Sequence, residues 1–318
     1  MTCSLEKLPP EQRTIVTAGD RNYAWGIYLL LASIRRYEMK ERILVGTYSW
    51  TSDWLNFLAD WPNVKIIQLP MEDRRCVCVT KPMLMLKSET DYATWVDSDG
   101  IFTGDCSDYL YGEADALYAR SYSPAEIANH SFARLPKTIS TWLRDVGSLP
   151  ERRNIPDICT SIVGVSLRHS APLLEKWIGQ MKKVLPENVG IVTGKKDPYY
   201  QTDESVLNSL LSCWEPAPEI TKSYRLNNPR TAYYAHFAYN PKPWQRLWTS
   251  YSLRYYEQVI SLMEWCDEQH LLPKFAPVPP SLLRRYEKFY KTCAPLSPYY
   301  VKTKKLLRKI GIKHRASP

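Results

Sequence analysis

The first hundred residues alternate between two hydrophobic patterns. Short runs rich in β-branched residues, "TIVTA" (14–18), "ILVGTY" (43–48), "VKIIQL" (64–69) and "ATWVD" (93–97), read as buried strands. Between them, apolar residues recur at helical spacing from Tyr23 to Tyr37, from Thr51 to Asp60 with Ser52 or Asp53 near the start, and over Pro82 to Glu89. Strands separated by helices at this interval predict βαβ units, and so an α/β fold with a mostly parallel sheet flanked by helices. Ligands of such sheets bind beyond the carboxyl ends of the strands. In "CVCVT", Cys76 and Cys78 alternate and would share one face of a strand-like run.

Further along, "ADALYAR" (114–120), "ICTSIVGVSL" (158–167) and "AYYAHF" (232–237) read as strands. Helices are expected over Lys137–Val146, Ala171–Val184 and 202–213, the last capped by Thr202 with Glu204 and Ser205 in its first turn. Leu247 to Glu268 reads as one long helix. After Leu271 the Pro-rich "LLPKFAPVPPS" breaks the pattern, and "SLLRRYEKFYK" and "YYVKTKKLLRKIGIK" predict two short basic amphipathic helices. This divides the chain into a body over residues 1–250 and a helical, basic extension over 251–318. No internal repeat is visible.

Composition adds one asymmetry. The net charge of +9 is concentrated at the end: residues 274–318 hold twelve Lys or Arg against the single acid Glu287, which leaves the body slightly acidic. Any anionic partner belongs with the tail, and a membrane surface bearing acidic lipids suits a basic face interleaved with Tyr, Phe and Leu. The alternative is a tail packed by its apolar stripe onto the body. Nucleic acid is not expected, because base-stacking aromatics should lie on a basic face and here they are spread through the acidic body.

Eight cysteines without a CxxC pair indicate neither a zinc knuckle nor a disulfide framework and point to a reducing compartment. The opening "MTCSLEKLPPEQR" has no basic segment followed by an apolar core, and "GIYLLLASI" falls far short of about 18 residues for a membrane span. A cytoplasmic protein, soluble or peripheral on the inner face of a membrane, is the expectation.

The candidate chemistry starts at "TWVDSDGIFTGD" (94–105), where Asp97 and Asp99 follow a strand. Two close carboxylates must share a cation, share a proton or stay well solvated. A hard divalent ion that also touches phosphate oxygens meets the first option. Asp105 lies outside the pair and reads as the cap of "CSDYLY".

In order along the chain, "TIVTAGDRNYAWGIYLLLASIRRY", "ATWVDSDGIFTGD", "DESVLN" and "HFAYNPKPW" resemble glycosyltransferase family 8, over about Thr14 to Trp244. The resemblance implies a GT-A nucleotide-sugar-binding fold, a UDP-sugar donor, a saccharide or lipid-linked acceptor, and Mn²⁺ or Mg²⁺. By the same resemblance Asp20 would accept the uracil N–H, Asn22 would lie near base or ribose, and Tyr23 would stack on the ring. Asp97, Asp99 and His236 would hold the metal, the Ser98 backbone would approach the ribose, and Lys242 would hold a phosphate. Lys81 is a further candidate for a basic residue near the donor.

Asp203 and Glu204 are the catalytic candidates, placed where relatives carry a glutamine beside the anomeric carbon. An acid there can attack as a nucleophile or stabilise oxocarbenium character, and it can equally serve only the helix macrodipole. The chain departs from the family at Tyr239, which replaces a glycine of "HFxGxxKPW", and in "CTSIVG", which replaces an Asn-Ser-Gly strand. A nucleotide-sugar-binding module without catalysis therefore stays open. A sugar-phosphate nucleotidyltransferase is less favoured, because "TAGDRNYAWG" lacks a Gly-rich phosphate loop.

Overall fold

The computed structural model describes residues 8–70, 76–112, 116–122, 136–155, 157–189, 197–221 and 234–309. The described strands are β1 (Arg13–Asp20), β2 (Arg42–Tyr48), β3 (Val64–Gln68), β4 (Tyr92–Val96), β5 (Gly100–Phe102), β6 (Ala116–Ser121), β7 (Ile158–Ser166), β8 (Glu219–Thr221) and β9 (Tyr234–His236). The described α-helices are α1 (Ala24–Arg36), α2 (Ser52–Ala59), α3 (Cys76–Met85), α4 (Pro136–Val146), α5 (Leu167–Val184), α6 (Asp203–Cys213), α7 (Tyr256–Glu268), α8 (Glu287–Cys293) and α9 (Ser297–Lys309). The chain forms two compact units: Met1–Ala24, Met39–Ser98 and Cys106–Arg225 in the first, Trp25–Glu38, Asp99–Asp105 and Leu226–Pro318 in the second.

The first unit holds a seven-stranded sheet in the order β3-β2-β1-β4-β7-β6-β8. Its first four strands are parallel neighbours, β7 runs antiparallel to both β4 and β6, and β8 is parallel to β6. The sheet is thus mixed and mostly parallel, as expected. Every residue of β4 and all nine of β7 are buried, because a central strand covered on both faces reads as a continuous apolar run rather than an alternation. Val16, Trp95, Val163 and Val165 pack with Leu84, Leu173, Trp177 and Leu207 in one core, where α3 lies on β1 and β4 and α6 on β7.

The second unit is organised around aromatic residues. Phe237 meets Trp244, Trp248 and Tyr255 edge-on at 6.2–6.3 Å, and the Trp248 indole N–H donates to Ser281 O at 2.9 Å. Strands β5 and β9 pair antiparallel with Gly100 opposite His236. A Cβ on Gly100 would fall 2.7 Å from Ala235 O and still closer to the Tyr234 ring, so the glycine that follows Asp99 is what lets β9 approach.

Several expectations need correction. "CVCVT" is not a strand: Cys76 opens α3, a helix that continues through Pro82 and ends at Met85, earlier than the predicted third helix. Its described side chains are buried nearly all round, and a helix of that kind carries no period to separate it from a buried strand. The long helix from Leu247 is broken at its start, because Thr249 and Ser252 cap each other: each backbone N–H donates to the other's hydroxyl at 3.0 Å. A 3-10 turn over Ser252–Tyr255 follows, and the α-helix begins only at Tyr256.

Thr202 precedes α6, but its φ is 52° and its hydroxyl donates to Asp203 Oδ1 at 3.0 Å instead of capping backbone N–H groups. The turn Ser107–Tyr109 starts one residue later than expected, with Cys106 rather than Asp105 in the N-cap position. Of the segments expected to frame an acceptor cleft, all but the first two residues of "SYSPAEIANHSF" (121–132) and the first four of "TGKKDPYYQ" (193–201) lie outside the described residues.

Candidate functional site

Strands β1 and β4 are parallel neighbours with Val16 opposite Trp95, so Asp20 and Asp97 emerge at the same, carboxyl end of the sheet. Asp20 accepts the Asn22 N–H at 2.9 Å and its side-chain amide at 3.1 Å, fixing the turn Arg21–Tyr23. Tyr23 closes that turn, half-buried.

In the first unit the decisive residue is Lys81, on α3. The residue is 6% exposed, and its ammonium lies 2.8 Å from Asp203 Oδ2 and 3.2 Å from Asp97 Oδ1 and donates to Thr160 O at 2.9 Å and Thr160 Oγ1 at 3.2 Å. Burial works against that charge, yet Asp203 and Asp97 outweigh it and hold the ammonium above the ordinary lysine range. Asp97 also accepts the Trp95 indole N–H at 2.6 Å, and its own N–H donates to Ser161 O at 2.9 Å. Ser98, between the two acids, is buried.

The acids of α6 divide into two environments. Asp203 accepts the Thr160 hydroxyl at 3.0 Å in addition to Lys81. Glu204 is buried, with Thr160 N–H on Oε2 and the Tyr122 hydroxyl on Oε1, each at 3.0 Å, and the Gln201 amide also on Oε1. Burial pushes the Glu204 carboxyl up to about 7, with Asp203 adding to the rise and the Thr160 N–H opposing it. Asn208 ties this helix to β7 by exchanging hydrogen bonds with both backbone groups of Ile158 at 2.9 Å.

The second unit carries its own charged cluster. Asp99 meets Lys242 Nζ at 2.6 Å and His236 Nε2 at 3.1 Å. Burial alone would raise the Asp99 carboxyl, but His236 and Lys242 hold it well below the usual carboxylate range. Lys242 is buried, donates to Phe237 O at 2.6 Å, and precedes the turn Pro243–Gln245, where its backbone N–H donates to Gln245 Oε1 at 3.3 Å and its carbonyl accepts the Gln245 N–H at 2.8 Å. The Phe237 N–H donates to Asp99 O at 2.7 Å. Tyr239 is 49% exposed and its backbone lies outside the left-handed region, so nothing in its φ calls for a glycine there.

Asp97, Asp99 and His236 each offer one ligand atom, and these lie within 4.8 Å of one another. Two carboxylate oxygens and an imidazole fit a hard or borderline divalent ion, which would exchange with the ammonium groups of Lys81 and Lys242. The sequence foresaw these residues individually. It did not reveal that Lys81 bridges Asp97 and Asp203, nor the parts of Thr160, Tyr122, Trp95 and Gln201.

The sequence matches no family model and no curated protein. Among solved structures it is similar to an active-site mutant of LgtC, at 15% identity and a TM-score of 0.51, covering 78% of this chain and 95% of that one. The fold is of the GT-A class. At that identity the likeness concerns architecture alone.

Proposed function

We propose that the chain is a metal-dependent, retaining glycosyltransferase that moves a hexose from a UDP-sugar to a saccharide or lipid-linked acceptor. One observation carries the reading: on a fold shared with LgtC, the carboxyl end of β4 delivers two acids that gather with His236 into a set of metal-ligand type. In this reading Tyr23 stacks on the uracil, and Asp20 and Asn22 meet its polar edge or the ribose. The Ser98 backbone lies along the ribose, and Lys242 leaves Asp99 to hold a phosphate. A divalent cation, when bound, offsets charge on the departing diphosphate.

In the transfer, the bond from the anomeric carbon to the β-phosphate oxygen breaks and its electron pair leaves with UDP. The acceptor hydroxyl oxygen bonds to the anomeric carbon, and its proton passes to the departing diphosphate. Asp203, oriented by Lys81 and Thr160, supplies negative charge to the oxocarbenium-like centre. Glu204, with both oxygens engaged, positions α6 and adds a second carboxylate close to the reacting carbon.

The test is Mn²⁺-dependent release of UDP from a panel of UDP-sugars without acceptor, with Asp99→Asn expected to lose it. Release that is indifferent to chelation, or retained in Asp99→Asn, refutes the metal assignment. A binding module without catalysis is the second reading, favoured by the saturation of both acids with lysine. It predicts donor binding by calorimetry with no release from any sugar.

The tail supports a second contact. Phe289, Leu296 and Tyr299 are 56%, 57% and 67% exposed, interleaved with Lys288 and Lys302. Among the described residues no helix is long and apolar enough to cross a membrane. The proposal is peripheral binding to the inner, anionic face of a membrane through residues 274–318. Paired Phe289→Ser and Tyr299→Ser should reduce co-sedimentation with phosphatidylglycerol vesicles, and an unchanged bound fraction removes the idea.

A further inference from the structure

The loop after β9 carries an aromatic residue that the chemistry above leaves unused. Tyr239 is half exposed, yet its ring is held edge-on to Tyr251 with centroids 5.0 Å apart at 81°. The Arg254 guanidinium lies 3.9 Å from the Tyr251 ring centre and 4.8 Å from that of Tyr255. Tyr255 is buried at 1% exposure and packs on Phe237. Tyr239 is therefore the outer member of a buttress that runs through Tyr251, Arg254 and Tyr255 into the core of its unit.

Its place in the chain matters as much. Tyr239 follows His236 by three residues and precedes Lys242 by three, so its Cα stands within about 11 Å of each. That distance is within reach of a short oligosaccharide whose end reacts at the site. The residues on either side, Ala238 and Asn240, are small or polar and exposed, so neither adds a large apolar side chain beside the ring.

We infer that Tyr239 is an acceptor platform: its exposed ring packs on the C–H face of a pyranose near the reacting hydroxyl and sets which saccharides are accepted. The inference rests on the glycosyltransferase reading. An aromatic face is electron-rich and the axial C–H bonds of a pyranose are its electropositive side, so the two attract without a directional hydrogen bond. Tyrosine provides this surface at low entropic cost, and the buttress lowers it further. A nucleobase is the competing occupant. It is disfavoured because the uracil is assigned to Tyr23, on a different loop.

Saturation-transfer NMR with lactose, maltotriose and chitotriose, on the full chain with UDP and Mn²⁺, gives saccharide affinity, and calorimetry gives UDP affinity. Tyr239→Ala should weaken the best-bound saccharide roughly tenfold while UDP affinity holds, and Tyr239→Trp should restore binding. Saccharide affinity unchanged in Tyr239→Ala overturns the inference, as does absence of saccharide binding to a wild type that releases UDP. Loss of UDP affinity in Tyr239→Ala instead makes the ring a base platform and also overturns it. Failure of the glycosyltransferase reading shows separately, as no UDP release from any donor, and in that case too absence of saccharide binding to the wild type, or equal binding by Tyr239→Ala, overturns the platform.

Discussion

Replacing Lys81 with methionine isolates the ion pair at the centre of the first unit. The substitution keeps most of the buried stem and removes one ammonium that serves Asp203 at 2.8 Å, Asp97 at 3.2 Å and Thr160 O at 2.9 Å. Breaking a buried pair from one side costs about 3–5 kcal/mol, because the surviving charge is left without compensation. Here the acids keep other donors, the Trp95 indole for Asp97 and two hydroxyls for Asp203, and their side chains are 26% and 17% exposed. The expected loss is therefore at the low end, about 3 kcal/mol.

Urea unfolding with an unchanged slope and a lower midpoint measures that loss. The Lys81 ammonium is held above the ordinary lysine range, so its contribution is fully present below the unfolded value and is lost only as pH rises through the folded one. The ammonium's own contribution should therefore persist from about pH 6 to 9, the difference between wild type and variant changing in that window only as Glu204, which Lys81 helps keep ionised, titrates higher in the variant. With the ammonium gone, Asp97 is open to a cation, and Mn²⁺ should raise the midpoint of the variant more than that of wild type. A loss under about 1 kcal/mol, or equal responses to Mn²⁺, refutes the bridging role.

Glu204, pushed up to about 7 by burial, makes the protein most stable below its unfolded value of 4.5, and that advantage disappears as pH rises through 7. Glu204→Gln should therefore gain on wild type by about 3 kcal/mol between pH 4.5 and 8, read from urea midpoints; parallel curves would show that the carboxyl does not titrate there. Gly100→Ala should cost about 1–3 kcal/mol or more through its clash with Tyr234 and Ala235 O. It should also weaken Mn²⁺ binding by displacing β9, and wild-type affinity and stability in that variant would show that β9 is not held by the glycine. Asp97→Asn should lower Mn²⁺ affinity at least tenfold in titration calorimetry, and an unchanged isotherm would remove Asp97 from the ligand set.

Much of the parallel half of the sheet was legible because β1, β2, β3 and β4 are continuous β-branched runs with helical periods between them. The errors fall where tertiary burial or side-chain capping competes with periodicity, as in α3 and at Thr249 and Ser252. The same division holds at the site. Asp97 and Asp99 are visible as neighbours in sequence, and Asp203 and Glu204 as acids opening a helix. The Lys81–Thr160 contact joins residues 79 positions apart, and Tyr122 reaches Glu204 across 82, distances over which no spacing rule operates. Lys81 was a candidate for a basic residue near the donor, but its bridge between Asp97 and Asp203 comes from the topology that sets α3 against β4.

The lysines also bear on handling. Each strand-end acid already has an ammonium partner, Asp97 with Lys81 and Asp99 with Lys242, so folding does not need a metal to relieve repulsion between them. Treatment with EDTA should therefore yield a folded, storable protein that can be reloaded with different divalent ions and compared ion by ion, a property that sites built from uncompensated acids lack.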